Sequence, residues 1–383
     1  MKKVLLFFML IGAFFTFMGG DKLEAVKQQE VMKFDFGSRD VETGYKGVKA
    51  EDQYTKEKGY GFYSPKQMEN VSASGTGVKK DAVQFLSYGM KSTNTFQVDL
   101  ANGWYEVEVI LGDTARASVA AEGYFQVMNM TGNGASATFR LPITDGQLNL
   151  LVTEGKEGTA FTLSALHIQK LSDDATGDQT LFIGGDSTVC QYYPLDSSVQ
   201  AGWGQMIEPF LQKGAFYVKN LATGGQFARG FYQDGQFASV LYAMKPGDIF
   251  LVQFGINDTN PKNNESEAEY KEWMREMIRQ VRQKGGEVIL STPQGRATDF
   301  NEHGVHSSTD RWYRMSTLAL AKEEQVRLVD LNVLSSAYFT SIGREATSQL
   351  YMEGDSLHPN RKGAKELARI ITTELKAQGV KGF

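Results

Sequence analysis

The chain carries a single cysteine, Cys190, in 383 residues. That excludes an intramolecular disulfide framework and every zinc or iron–sulfur site built from several thiolates. The four histidines, His167, His303, His306 and His358, are too scattered for a dedicated metal centre, and no cofactor or metal is expected. Excess positive charge is also missing. Forty basic residues against 45 acidic ones give a formal charge of -5, which leaves no general footprint for nucleic acid. Proline is scarce, eight against forty glycines, so tight turns rather than proline-rich linkers must punctuate the chain. With 41% hydrophobic and 22% charged residues the composition is that of ordinary folded domains. It is not that of a disordered, collagenous or multi-span membrane protein. The length suggests about two domains.

The N-terminus reads as an export signal. Lys2 and Lys3 precede an apolar run from Val4 to Met18, shorter than the roughly 20 residues of a membrane span. Small residues at Gly19 and Gly20, or at Ala25, offer cleavage regions, and no nearby cysteine would accept lipid. The expectation is a leader over residues 1–20, a periplasmic or extracellular protein, and no membrane attachment once the leader is gone.

From about 31 to 171 the apolar residues alternate in short runs, as in Trp104-Tyr105-Glu106-Val107-Glu108-Val109, broken by Asn102-Gly103 and Gly112-Asp113. This is strand and turn chemistry without helical periodicity, and an all-β sandwich is its natural solution. Residues 172–179, polar, small and acidic, mark a linker. Beyond it, strands at Leu181 to Gly184, Phe216 to Asn220, Asp248 to Phe254, Glu287 to Ser291 and Val326 to Leu331 alternate with helical candidates. The longest of these are Glu265 to Lys284 and Thr309 to Glu324. Such alternation over 180–383 implies an α/β domain with a parallel sheet.

Four motifs fall at strand ends of this second domain, where open α/β sheets place their chemistry. Gly184-Gly185-Asp186-Ser187-Thr188 presents a serine in a turn, Ala222-Thr223-Gly224-Gly225 brings paired glycines, Gly255-Ile256-Asn257-Asp258 brings an amide, and Asp355-Ser356-Leu357-His358 sets a carboxylate three residues before an imidazole. Taken singly, each has an ordinary explanation: a helix cap, a plain loop, an Asx-turn and a surface turn before a helix. The serine lacks the G-x-S-x-G elbow, and the glycines lack the spacing of nucleotide-binding loops.

In this order, however, the strings GDSTV, GWGQ, NLATGGQFARGF, FGINDTNP and DSLHPNRKGA closely resemble the SGNH or GDSL-type hydrolase superfamily, over about Thr180 to Leu375. They look most like its rhamnogalacturonan acetylesterase branch. FDFG, GYGF, ANGWYEVEVILGD and FTLSALHIQKL resemble the galactose-binding type of β-sandwich, a possible carbohydrate-binding or bracing domain. The resemblance implies a three-layer, flavodoxin-like catalytic domain. It also implies Ser187 as nucleophile, His358 as base and then acid, Asp355 as its orienting partner, and an oxyanion hole from the Ser187 and Gly225 amides and the Asn257 side chain. Relatives often carry histidine where this chain has Ile256, so no contact is carried over to that position.

Cys190, three residues after Ser187, reads as buried packing. The segment Gln294 to Arg314 holds Arg296, His306 and Trp312, candidates for sugar stacking and for pairing with uronate carboxylates. By count its Arg296, Arg311 and Arg314 are offset by Asp299, Glu302 and Asp310. The expected activity is removal of O-acetyl groups from a pectin-type polysaccharide through an acyl-enzyme. A lipid esterase of the same superfamily and a non-catalytic glycan binder are the rivals. Every expected catalytic group lies after the linker, so a fragment from about Thr180 is expected to hydrolyse small esters by itself.

Overall fold

The computed structural model describes residues 31–86, 94–155, 161–172, 179–307 and 310–383. The expected leader and most of the expected linker lie outside the described residues.

The N-terminal half is built from antiparallel sheets, apart from one parallel pair at an edge. One five-stranded sheet has Gly103–Ile110 between Ser136–Ile143 and Ala165–Lys170. The facing one runs from Tyr60–Phe62 through Phe96–Asp99, Gln147–Gly155 and Ala117–Ala121 to Tyr124–Met130. Alternation decides which side is buried: Ala137, Phe139, Leu141 and Ile143 point inward along their strand. Between the sheets Phe96 meets Phe36 edge to face at 4.8 Å, a geometry favoured by the ring quadrupoles.

The C-terminal half is a three-layer α/β unit. Its parallel sheet runs in the order Phe216–Asn220, Gln179–Gly184, Ile249–Gln253, Glu287–Ser291, Arg327–Val329, so the first strand in sequence lies between the second and third. This 2-1-3-4-5 order is flavodoxin-like and opens a crevice at the carboxyl end of the first strand, where the chain switches direction. The helix Glu267–Gln283 starts at a capping box between Ser266 and Glu269 and buries Tyr270, Met274, Met277, Ile278 and Val281, one helical stripe. The final helix, Arg361–Ala377, is capped by Asn360 and buries Ala364, Leu367, Ala368 and Ile371. Between the first two strands lie two 3-10 turns, Trp203–Gln205 and Glu208–Phe210, the second with Pro209 inside it.

The two halves share a face. One hydrophobic cluster runs without a break from Phe34, Val119 and Phe139 to Phe182, Leu221 and Phe237. Tyr124 stacks on Tyr242 with ring centroids 3.9 Å apart, and the Phe125 amide donates to Ser239 Oγ at 2.9 Å. Lys219, on the edge strand of the parallel sheet, is buried and donates to Gln126 Oε1 at 2.6 Å.

Burial pulls the Lys219 ammonium down to about 7 from 10.5. Below the lower value both folded and unfolded chains hold the proton, and burying the charge costs stability in full. Between the two values the folded chain has released a proton that the unfolded chain still binds, so stability rises with pH. Lys219→Met is therefore expected to stabilise the protein most at or below neutral pH, with the gain shrinking as pH increases. Denaturant unfolding of both proteins from about pH 6 to about pH 9 reads this, and a pH-independent difference would refute it.

Candidate active site

Ser187, Gly225 and Asn257 follow the first, second and third strands of the parallel sheet, so all of them reach the crevice at its switch point. Beneath the serine turn runs a polar chain. Asp186 Oδ1 accepts from the amide and the hydroxyl of Thr188 at 2.8 Å each. Thr188 Oγ1 accepts from Gln253 Nε2 at 2.9 Å, and Gln253 Oε1 accepts from the Trp203 indole at 3.0 Å. Burial pushes the Asp186 carboxyl up to about 6. The Ser187 carbonyl accepts from the Tyr192 hydroxyl at 2.8 Å. The turn is thus fixed from both sides while the Ser187 side chain stays half-buried.

Ser187 Oγ and His358 Nε2 are 2.9 Å apart, and His358 Nδ1 is 2.6 Å from Asp355 Oδ2. The other carboxylate oxygen, Asp355 Oδ1, accepts the backbone amides of Leu357 at 2.7 Å and His358 at 3.1 Å. Partial burial acts to raise the Asp355 carboxyl. The Leu357 amide, the His358 imidazole and the His358 amide outweigh it and hold the group below the ordinary carboxylate range. An ionised Asp355 takes the proton of Nδ1 as a hydrogen bond and leaves Nε2 to accept from the serine.

Gly225 has φ +81°, the left-handed region that favours glycine. Its neighbour Gly224 lies against the serine, where an added Cβ would stand 3.9 Å from that of Ser187. Among the described residues, neither the Ser187 nor the Gly225 backbone N–H donates to a protein acceptor. Asn257 Nδ2 donates to the Gln226 carbonyl at 3.0 Å, which places its amide beside the glycine pair. The amide carries two N–H donors. The side chain that fixes this loop is the carboxylate of the next residue rather than an Asx-turn at Asn257. Buried Asp258 accepts from Gly255 N and from Ala228 N at 2.7 Å each, tying the loops of Asn257 and Gly225 together. Gly255 itself, at φ +126°, has no room for a side chain, because a Cβ would lie 2.1 Å from the Trp312 carbonyl.

Three further candidates fall out differently. Arg296 flanks the triad loop: the Ala297 amide donates to the Ser356 carbonyl at 2.9 Å. Its guanidinium lies 5.3 Å from the Trp312 ring centroid, and its Nε is buried with no hydrogen-bond partner. Of the acids that offset it by count, Asp299 pairs with Arg311 at 3.0 Å and Glu302 lies 3.4 Å from His303. Among the described residues no carboxylate pairs with Arg296.

His306, expected at the substrate face, is buried instead. Its Nδ1 meets Ser336 Oγ at 3.0 Å and its Nε2 meets the Arg296 carbonyl at 2.7 Å, so both ring nitrogens are used in holding the loop. Burial also lowers its pKa, against the raising effect of the bond to Arg296. Trp312 corrects a second expectation. It is 8% exposed, with the guanidinium groups of Arg296 and Arg311 over its ring, so it supports arginine rather than offering a face to sugar. Cys190 is buried, and burial pushes its thiol up to about 12, as suits a packing residue.

Residues 32–169 match the family model of the galactose-binding-like domain of β-agarase/YXIM esterases, and residues 184–366 match the GDSL-like lipase/acylhydrolase family. The chain is 65% identical over 365 residues to an uncharacterized esterase, YxiM of Bacillus subtilis, covering 95% of this chain and 96% of that protein. The crystal structure of the Bacillus subtilis YxiM protein superposes with a TM-score of 0.91 at 66% identity, covering 92% of this chain and 100% of the other. The probable rhamnogalacturonan acetylesterase YesY of Bacillus subtilis is 34% identical over 208 residues, covering 52% of this chain and 94% of that protein. With the serine crevice at the switch point of its parallel sheet, the chain belongs to the GDSL-like lipase/acylhydrolase family, as a YxiM-like esterase with a galactose-binding-like domain ahead of its hydrolase domain.

Proposed function

We propose that the protein removes O-acetyl groups from an acidic, pectin-type polysaccharide of the rhamnogalacturonan class. The reaction runs through an acyl-enzyme on Ser187. The observation that carries the chemistry is the unbroken run from Ser187 Oγ through His358 to Asp355, at 2.9 and 2.6 Å.

His358 Nε2 takes the Ser187 proton as Oγ attacks the acetyl carbonyl. The tetrahedral oxyanion is met by the amides of Ser187 and Gly225 and by Asn257 Nδ2. As the intermediate collapses and the carbon–oxygen bond to the sugar breaks, His358 gives its proton to that sugar oxygen, which leaves as a hydroxyl. Water, activated by the same imidazole, attacks the acetyl-serine, acetate leaves and Oγ regains its proton. Asp355 holds the tautomer and stabilises the imidazolium without taking the proton.

Two observations support an acidic glycan as substrate. One is the similarity of the hydrolase domain to a probable rhamnogalacturonan acetylesterase. The other is Arg296, on the segment bonded to the triad loop, whose guanidinium has no carboxylate partner among the described residues and would suit a galacturonate carboxylate. Acetate release from acetylated rhamnogalacturonan, acetylated xylan and lipid esters tests the reading. Preference for rhamnogalacturonan supports it, and preference for xylan or lipid esters overturns the substrate assignment.

A charge-assisted bond to one carboxylate contributes about 1.5–3 kcal/mol, or roughly ten- to a hundredfold in binding. Arg296→Ala is therefore expected to raise KM for acetylated rhamnogalacturonan oligosaccharides by about that factor. The kcat on a small neutral acetate ester should stay within about twofold. Equal losses on both substrates would remove Arg296 from uronate recognition.

A further inference from the structure

The loop that carries Gly225 is held from outside the hydrolase domain. Arg116 lies on the rim of the β-sandwich, just before the strand Ala117–Ala121. Its Nη2 donates to Thr223 Oγ1 at 2.9 Å and lies 3.4 Å from the Gly224 carbonyl oxygen. Asn129 donates from Nδ2 to the Ala222 carbonyl at 3.1 Å, and its Oδ1 accepts from the Thr223 hydroxyl. Three consecutive residues before Gly225 are thus gripped by two side chains of the other domain.

The β-sandwich is bent locally to make this grip. In the pairing of Ala117–Ala121 with Tyr124–Met130, Ala117 faces Met130 while Val119 faces Val127, so one extra residue stands on the second strand. Asn129 sits in that bulge with φ +60°, a left-handed conformation that asparagine adopts more readily than most residues with a side chain. Bulges of this kind turn a side chain out of its usual direction, here onto the glycine loop.

Geometry links the grip to the reaction. The Gly224 carbonyl and the Gly225 N–H belong to one peptide group, and in a planar trans peptide they point in opposite directions. Between two glycines such a plane meets little steric resistance to turning over. A cation held at the carbonyl oxygen fixes the plane and aims the N–H the other way. It also polarises the amide, which strengthens the N–H as a donor.

We propose that Arg116 is a positioning residue for ester hydrolysis: with Asn129 it orients the Gly224–Gly225 peptide so that the Gly225 N–H faces the oxyanion. The β-sandwich is then a component of the active site. A fragment beginning near Thr180, expected from the sequence to hydrolyse small esters, would lack both anchors. The proposal rests on Gly225 acting as an oxyanion donor in the reaction set out above.

The test uses the full chain and a small activated acetate ester, which is too small to report on glycan contacts. Misaiming a donor costs on the order of ten- to a hundredfold. Arg116→Ala is expected to lower kcat by that amount with KM changed less than about twofold, and Arg116→Lys is expected to restore part of it. Ser239→Ala, which removes a domain contact remote from the glycine loop, is expected to keep wild-type kcat. Wild-type kcat in Arg116→Ala overturns the proposal, and so does an equal loss in Ser239→Ala, which would assign the effect to domain docking in general. If Arg116→Ala does not fold, Arg116→Gln read against Ser239→Ala decides in the same way. A Ser187→Ala protein assayed beside them separates the two claims: if it stays active the acyl-enzyme itself fails, whereas if it is dead while Arg116→Ala is unaffected only the positioning role fails.

Discussion

Ser187→Ala is expected to lose ester hydrolysis by up to about a millionfold in turnover while keeping its fold. The size follows from what the hydroxyl does in the proposed reaction, since without it there is no acyl-enzyme and the imidazole has no proton to take. The Ser187 side chain makes one hydrogen bond, to His358, and fills little of the core. Stability should therefore change by no more than about 1 kcal/mol. The oxyanion donors remain in this variant, so a small residual rate above the uncatalysed reaction is expected. Near-wild-type turnover, measured with an activated ester in a preparation of matched melting temperature, would refute the nucleophile.

His358→Ala is expected to be as damaging as Ser187→Ala, and the double replacement scarcely worse than either, because the two groups carry out one proton transfer together. Asp355 should matter less, by precedent about ten-thousandfold for loss of the orienting carboxylate. The structure sharpens the choice of variant here. Asp355 Oδ1 also holds the amides of Leu357 and His358, so Asp355→Ala loosens the loop as well as the imidazole. Asp355→Asn keeps an acceptor for those amides and mainly imposes the wrong tautomer. Residual activity should rank Asp355→Asn above Asp355→Ala, and both above His358→Ala. Additive losses in the Ser187, His358 double variant would show two independent contributions and end the serine–histidine mechanism.

The strands and the reacting groups were legible because their signals are local. Short alternating runs marked the β-sandwich, apolar runs marked the parallel strands, and a serine, a glycine pair and an asparagine each followed such a run directly. What holds those groups was not legible. Arg116 and Asn129 belong to another domain and stand in no motif, and only the fold brings them across 107 and 94 positions of chain to Thr223. His306 and Trp312 were misplaced for a related reason: composition shows that a loop is polar and aromatic, but not which side its rings face. The helix Leu331–Ser348 gives no clear apolar period, because Asn332, Ser335, Ser336 and Thr347 lie on its buried face and interrupt the stripe. Two of those residues serve the site at one remove, Ser335 Oγ accepting from the Gly295 amide and Ser336 Oγ meeting His306.

Mass spectrometry of the wild-type protein, acid-quenched during turnover of an activated acetate ester, tests the covalent step most directly. The expected result is the mass of one acetyl group on the peptide that contains Ser187, absent from Ser187→Ala. Acetate released in a single turnover with no acetyl on that peptide, or acetyl carried by another residue at the rate of turnover, would contradict an acyl-enzyme on Ser187.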